Sequence, residues 1–268
     1  MIENNNKSDP NYWINLAYDI QQIRQKQEQE EKTNSSSVKK YYEKALKLDP
    51  YNYVALVNLS NILYQENKFE QAYKLLLFAN KKSKTNDSAI LTNLGAVSER
   101  LGKDKEAIHY YTESAKLNPY NDKLWHNIGV ICRKNNNFKN AILCYDKSLQ
   151  INPNNINTLY DKAFAHIKLN EIDKAERCYD LILRIDPIQA DALGNKGTIL
   201  SLKGKYKEAL SFFDKSLKIN KNSSRVWKNK GDVYLKMMMK KMMNKIENKD
   251  EIKEKADECF KIVKDLEK

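Results

Sequence analysis

No apolar run in this chain approaches the roughly 20 residues that a membrane-spanning helix needs. The opening residues 1–13 also lack the apolar core of a secretory signal, so the expectation is a soluble protein of the cytoplasm. Cysteine is scarce, and Cys132, Cys144, Cys178 and Cys259 include no C-x-x-C pair, which argues against a zinc knuckle or a thiol redox motif. The three histidines, His109, His126 and His166, have no cysteine or carboxylate at ligand spacing. Neither G-x-x-x-x-G-K nor G-x-S-x-G occurs, so there is no phosphate loop and no nucleophile elbow. These absences predict a non-enzyme with no catalytic residue, no metal and no cofactor. Glycine and proline are few, at 7 and 5 residues, yet nearly all of them fall on a regular grid.

That grid has a step of 34 residues. Gly95, Gly129, Gly197 and Gly231 occupy one register, with Ala163 in the middle place; Ala107, Ala141, Ala175 and Ala209 occupy a second. Tyr111, Tyr145, Tyr179 and Phe213 form a third, and Pro119, Pro153 and Pro187 a fourth. A constant step means one supersecondary unit that cannot bury its apolar face alone and stacks on copies of itself. Cys144 and Cys178 also stand 34 apart, as small buried packing residues would.

Within one unit, Leu124, Ile128 and Ile131 recur at helical spacing, the polar Asn135 to Asn137 interrupt, and Phe138, Ala141, Ile142 and Tyr145 resume it. This predicts two helices joined by a tight turn. Glycine inside a helix costs about 1 kcal/mol relative to alanine, so Gly129 implies close approach of the facing helix. Ala141 and Ser148 are small there, and Trp125 and Tyr145 fill the remaining space. Pro153 stops the second helix.

The order Trp125, Ile128, Gly129, Ala141, Tyr145, Ser148, Pro153 resembles the tetratricopeptide repeat. The resemblance implies an all-α solenoid of about seven helix-turn-helix units wound into a right-handed superhelix, which binds a partner along its inner groove. The expected organisation is a tail over 1–10 and a single solenoid over 11–268. Its units run 11–52, 53–87, 88–121, 122–155, 156–189, 190–223 and 224–268. The first carries an insertion at 24–37, which either prolongs the first helix or loops out and ends in Ser35 to Ser37 ahead of the next helix, and the last an insertion at 237–249. Five of the six methionines crowd between Met237 and Met243, either as an adaptable patch for a partner, a membrane surface or self-association, or as an over-long helix. The charged residues from Lys253 to Lys264 suit a polar cap on the stack.

In this family the first helix of each unit lines the groove. Two places before the glycine register stand Asn58, Asn93, Asn127, Asn195 and Asn229, with Asp161 as the exception. A carboxamide offers two donors and an acceptor, so such a ladder can pair with a peptide backbone without reading its side chains. It resembles the ladder lining the repeat domains of O-linked N-acetylglucosamine transferases; the competing role is hydrogen bonding between repeats. Arg100, Lys123, Arg133, Lys134 and Lys168 lie at neighbouring groove positions and favour an acidic segment on a protein or peptide partner. The chaperone-tail clamp found in some family members does not fit, because Val57 holds its lysine position. The net charge of +12 keeps a second class open, a basic solenoid tracking the phosphates of RNA or another nucleic acid, although lysines are interspersed with acids and no aromatic row stands out.

Overall fold

In every unit the apolar spacing winds two helices, and the chain folds as an all-α solenoid of 14 α-helices in consecutive pairs among the described residues. The computed structural model describes residues 6–26, 33–82, 87–243 and 249–267. The helices are α1 (Pro10–Lys26), α2 (Thr33–Leu48), α3 (Tyr53–Gln65), α4 (Phe69–Lys82), α5 (Ser88–Arg100), α6 (Asp104–Leu117) and α7 (Asp122–Lys134). They continue with α8 (Phe138–Ile151), α9 (Ile156–Lys168), α10 (Ile172–Ile185), α11 (Ala190–Leu202), α12 (Tyr206–Ile219), α13 (Ser224–Met243) and α14 (Lys249–Leu266). Two compact units divide the chain, Met1–Ile131 and Cys132–Lys268.

The turn between paired helices has one solution repeated five times. Asn67, Gly102, Asn136, Asn170 and Gly204 all adopt positive φ, between 57° and 74°. Asparagine and glycine are the residues that tolerate this left-handed cap. The next residue closes the motif, as Lys68 N does on Leu63 O at 2.8 Å and Lys205 N on Leu200 O at 2.9 Å. Entry to the first helices is capped by side chains: Asn52 accepts from Ala55 N, Asp87 from Ala89 and Ile90, and Asn155 from Thr158.

The glycine register receives a ring rather than a bare backbone. A Cβ at Gly95 would lie 2.6 Å from Tyr111, one at Gly197 2.7 Å from Phe213, and one at Gly231 2.9 Å from Phe260. Each aromatic comes from the second helix of the same pair. The alanine register beside it is fully buried at Ala107, Ala141, Ala175 and Ala209. The buried Ser114 and Ser216 hydroxyls donate to Ser88 O (2.9 Å) and Ala190 O (2.7 Å), the first residues of their own pairs, so smallness and hydrogen bonding act together.

In the first unit the core runs from Ile14 and Ala17 through Tyr42, Leu59 and Leu76 to Leu94 and Val97. In the second, one cluster joins Leu159, Tyr179, Ile182 and Ile199, and another joins Leu200, Phe213, Val226 and Val233. At the first end one expectation changes, and at the last the over-long helix is what forms. Ser35 to Ser37 lie inside α2, where burial of the apolar series that starts at Val38 and continues through Tyr42 and Ala45 carries the helix back over them, while 27–32 lie outside the described residues. The methionine segment continues α13 to Met243, with Met237 packed on the Phe213 cluster and Met239 exposed. No described helix is long and apolar enough to cross a membrane.

Candidate functional site

The asparagine column is half-buried at Asn58, Asn93, Asn127, Asn195 and Asn229, each on the first helix of its pair, and the last four meet partners within the chain. In the first unit Asn93 Nδ2 donates to Asn61 Oδ1 at 3.0 Å. In the second, Asn229 Nδ2 donates to Thr198 Oγ1, also at 3.0 Å. Asn61 and Thr198 both stand one place after the glycine register of the preceding pair, so the two bonds are equivalent. That place is Ala96 and Phe164 in other pairs, which offer no acceptor, and the carboxamide then turns elsewhere. Asn127 meets the Tyr111 hydroxyl, which burial pushes above its ordinary pKa and which also donates to Glu99 at 3.3 Å. Asn195 accepts from Arg225 at 2.6 Å, while the same guanidinium reaches Asp191 at 2.9 Å. The bond that Asn93 and Asn229 each donate engages one of two amide hydrogens.

The neighbouring cations divide by surroundings. Arg100, in the first unit, is exposed and lies over the Phe69 ring at 5.0 Å; Lys123 is exposed near the start of α7. In the second unit Lys134 is exposed at the end of α7 and Lys168 lies over Phe164 at 5.3 Å. Arg133 is half-buried, its Nε 3.6 Å from Asp161 and its guanidinium 5.5 Å from the Phe164 ring. The aspartate that interrupts the asparagine column thus has its own cation.

A concavity of about 140 Å³ opens in the first unit between α3 and α5. Ser60, Asn61, Tyr64, Leu76, Asn93, Ala96 and Val97 line it, so the hydrogen-bonded carboxamides sit over an apolar floor. Tyr64 and Leu76 are not among the site residues expected from the sequence; their places in the helical series mark them as core, and nothing in that spacing shows that a gap remains above them. Among the described residues no three His, Cys, Asp or Glu side chains gather into a metal-binding group.

The second unit has a second column that the glycine grid conceals. Lys162 Nζ pairs with Asp146 at 2.5 Å, Lys196 with Asp180, and Lys230 with Asp214 at 2.7 Å. Each joins a first helix to the second helix of the preceding pair, and each lysine is at most 22% exposed. At the end of α9, His166 is buried with Nδ1 2.6 Å from Glu171 Oε2. Burial lowers its pKa, and the Glu171 contact opposes that only in part. Cys144 and Cys178 are both pushed up to about 11 by burial, which makes them poor nucleophiles.

Profiles described as Tetratricopeptide repeat match residues 88–121, 123–155, 144–177 and 190–223. Type IV pilus assembly protein PilF of Pseudomonas aeruginosa is 36% identical over 78 residues, 29% of this chain and 31% of PilF; the match thus spans under a third of that relative. The solved structure of pilF from Pseudomonas aeruginosa is similar with a TM-score of 0.62 at 20% identity, covering 80% of this chain and 93% of that one. YrrB, a TPR protein with an unusual peptide-binding site, gives 0.58 at 20% identity over 69% of this chain and 95% of YrrB. The C-terminal part of a TPR repeat-containing protein from Cytophaga hutchinsonii gives 0.75 at 16% identity over 96% of this chain and 95% of that one. The 34-residue period, the helical pairs it folds into and these matches identify tetratricopeptide repeats over residues 88–121, 123–177 and 190–223 of this chain.

Proposed function

We propose that this protein is a non-catalytic interaction scaffold that holds an extended, acidic segment of a protein partner against the first helices of its pairs. The observation that carries the reading is the concavity between α3 and α5, where Asn61 and Asn93 stand over Tyr64, Leu76 and Val97. Asn58, Asn93 and Asn127 in the first unit present the carboxamides for backbone pairing, and Arg100 and Lys123 the charge for acidic side chains. Asn195 and Asn229 with Arg133, Lys134 and Lys168 are the corresponding residues of the second unit. PilF takes part in type IV pilus assembly and YrrB has a peptide-binding site, and both support an adaptor role on this fold.

Magnitudes make the contact modest. Three carboxamides at about 1 kcal/mol each fall short of the roughly 4 to 15 kcal/mol lost on association. A side chain seated on the apolar floor must add its own burial, about 1.5 to 3 kcal/mol. Fluorescence anisotropy with a labelled acidic peptide library tests the proposal. Asn93→Ala with Asn127→Ala lowers the affinity of a selected peptide about ten- to thirty-fold, at about 1 kcal/mol each, without changing the helical circular dichroism. Unchanged affinity in that double variant removes the ladder from the mechanism.

A further inference from the structure

The net charge is unevenly placed. Residues 1–131 hold 18 Lys and Arg against 16 Asp and Glu, while residues 132–268 hold 29 against 19. The excess therefore belongs to the second unit, at +10 against +2. Within it, α8, α10 and α12 expose one side to solvent, and the exposed positions follow one register on all three. The stripes are Lys139, Leu143, Lys147 and Gln150; then Asp173, Arg177, Leu181 and Arg184; then Lys207, Ser211, Lys215 and Lys218. Spacings of three and four residues place each set on one helix face.

The acids on these exposed faces are already neutralised. Asp173 is held by Lys203 at 2.7 Å, Asp214 by Lys230 at 2.7 Å, and Glu208 by Lys205 at 3.6 Å. Lys139, Arg184, Lys207 and Lys218 pair with no carboxylate among the described residues, Arg177 shares Asp173 with Lys203 without closing an ion pair, and Lys215 lies over the Phe212 ring. Aliphatic side chains stand between these cations: Leu143 is 61% exposed, Leu181 40% and Ile219 49%. No aromatic ring on α8, α10 or α12 is among the exposed large hydrophobic residues.

We propose that this outer face of α8, α10 and α12 docks on an anionic phospholipid bilayer. Cations without partners are drawn to a negatively charged leaflet, and aliphatic side chains among them enter the boundary between headgroups and acyl chains. A single-stranded nucleic acid would use the charge but call for exposed rings on which bases stack, and these helices lack them. The surface is separate from the peptide-holding side of the first helices, so either activity stands or falls without the other.

Co-sedimentation of the full chain with vesicles at 0.1 M salt tests this. It binds vesicles of 70% phosphatidylcholine and 30% phosphatidylglycerol, and pure phosphatidylcholine vesicles at least ten-fold more weakly. Each cation at the surface is worth about five-fold, so Arg177→Gln with Lys215→Gln and Lys218→Gln reduces binding about a hundred-fold with unchanged thermal melting. Lys47→Gln with Lys74→Gln and Lys105→Gln removes equal charge from the first unit and leaves binding unchanged. Leu143→Ser weakens vesicle binding while leaving any binding to poly-uridine untouched. Equal binding to neutral and anionic vesicles, equal losses in the two triple variants, or poly-uridine bound more tightly than vesicles with Leu143→Ser silent on vesicles, each overturns the proposal.

Discussion

Gly197→Ala tests whether the glycine register exists to receive a ring. The new methyl would stand 2.7 Å from Phe213 Cε1, 2.8 Å from Cδ1 and 3.2 Å from the Ala209 carbonyl oxygen. Carbon contacts are optimal at about 3.5 to 4.0 Å, so the ring must retreat by close to 1 Å. Phe213 is fully buried and the carbonyl belongs to a helix backbone, so there is little room to yield. Overpacking of this kind costs about 1 to 3 kcal/mol. Alanine returns about 1 kcal/mol through helix propensity, leaving a net loss of about 1 kcal/mol by the same principles. Phe213→Leu alone opens a gap and loses roughly 1 to 2 kcal/mol. In the double variant the methyl fills what the ring vacated, so the combined loss falls below the sum by about 1 kcal/mol or more, the coupling expected of touching residues. Urea unfolding of the four proteins measures it. Additive losses, or a Gly197→Ala variant stabilised by the full propensity gain, would refute the packing explanation.

Three further outcomes are expected. Because the folded His166 pKa lies below its ordinary value near 6.5, the unfolded chain takes up the proton first. His166 therefore contributes fully above about pH 6.5 and its contribution is lost as pH falls towards the folded pKa. Since Glu171 is also depressed, its own loss begins only below about 4.5, so melting temperatures from pH 7 to 5 isolate the histidine, and His166→Gln flattens that slope. Lys196→Met breaks the middle link of the Lys–Asp column and removes a cation lying 5.0 Å over Phe212, lowering stability by about 1 kcal/mol with a smaller effect at 1 M salt, as denaturant titration at two salt concentrations would show. Cys144 and Cys178, pushed up to about 11, react with a disulfide reagent at pH 8 at least about ten-fold more slowly than free cysteine, and reach full rate in urea.

The amino-acid order alone determined the helical pairs. Glycine, alanine, tyrosine and proline recurring at 34 residues leave few other ways to bury one apolar face per unit. Local chemistry settled the turns as well, because Asn67, Gly102, Asn136, Asn170 and Gly204 are the residue types that tolerate positive φ. The ends were less legible. Ser35 to Ser37 looked like a pause before a helix, yet the packing of Val38 and Tyr42 carries α2 back past them, since burial outweighs a few tenths of a kcal/mol of serine propensity. What the fold alone decided is who answers each polar group. Asn93 and Asn229 stand in one register with Asn127 and Asn195, but their partners depend on whether a side chain from a neighbouring pair can accept, and spacing along one helix carries no such information. The same holds for Lys162, Lys196 and Lys230, whose aspartates come from the previous pair. Composition announced an excess of positive charge, and only three-dimensional pairing shows which cations are already answered and which face solvent unanswered.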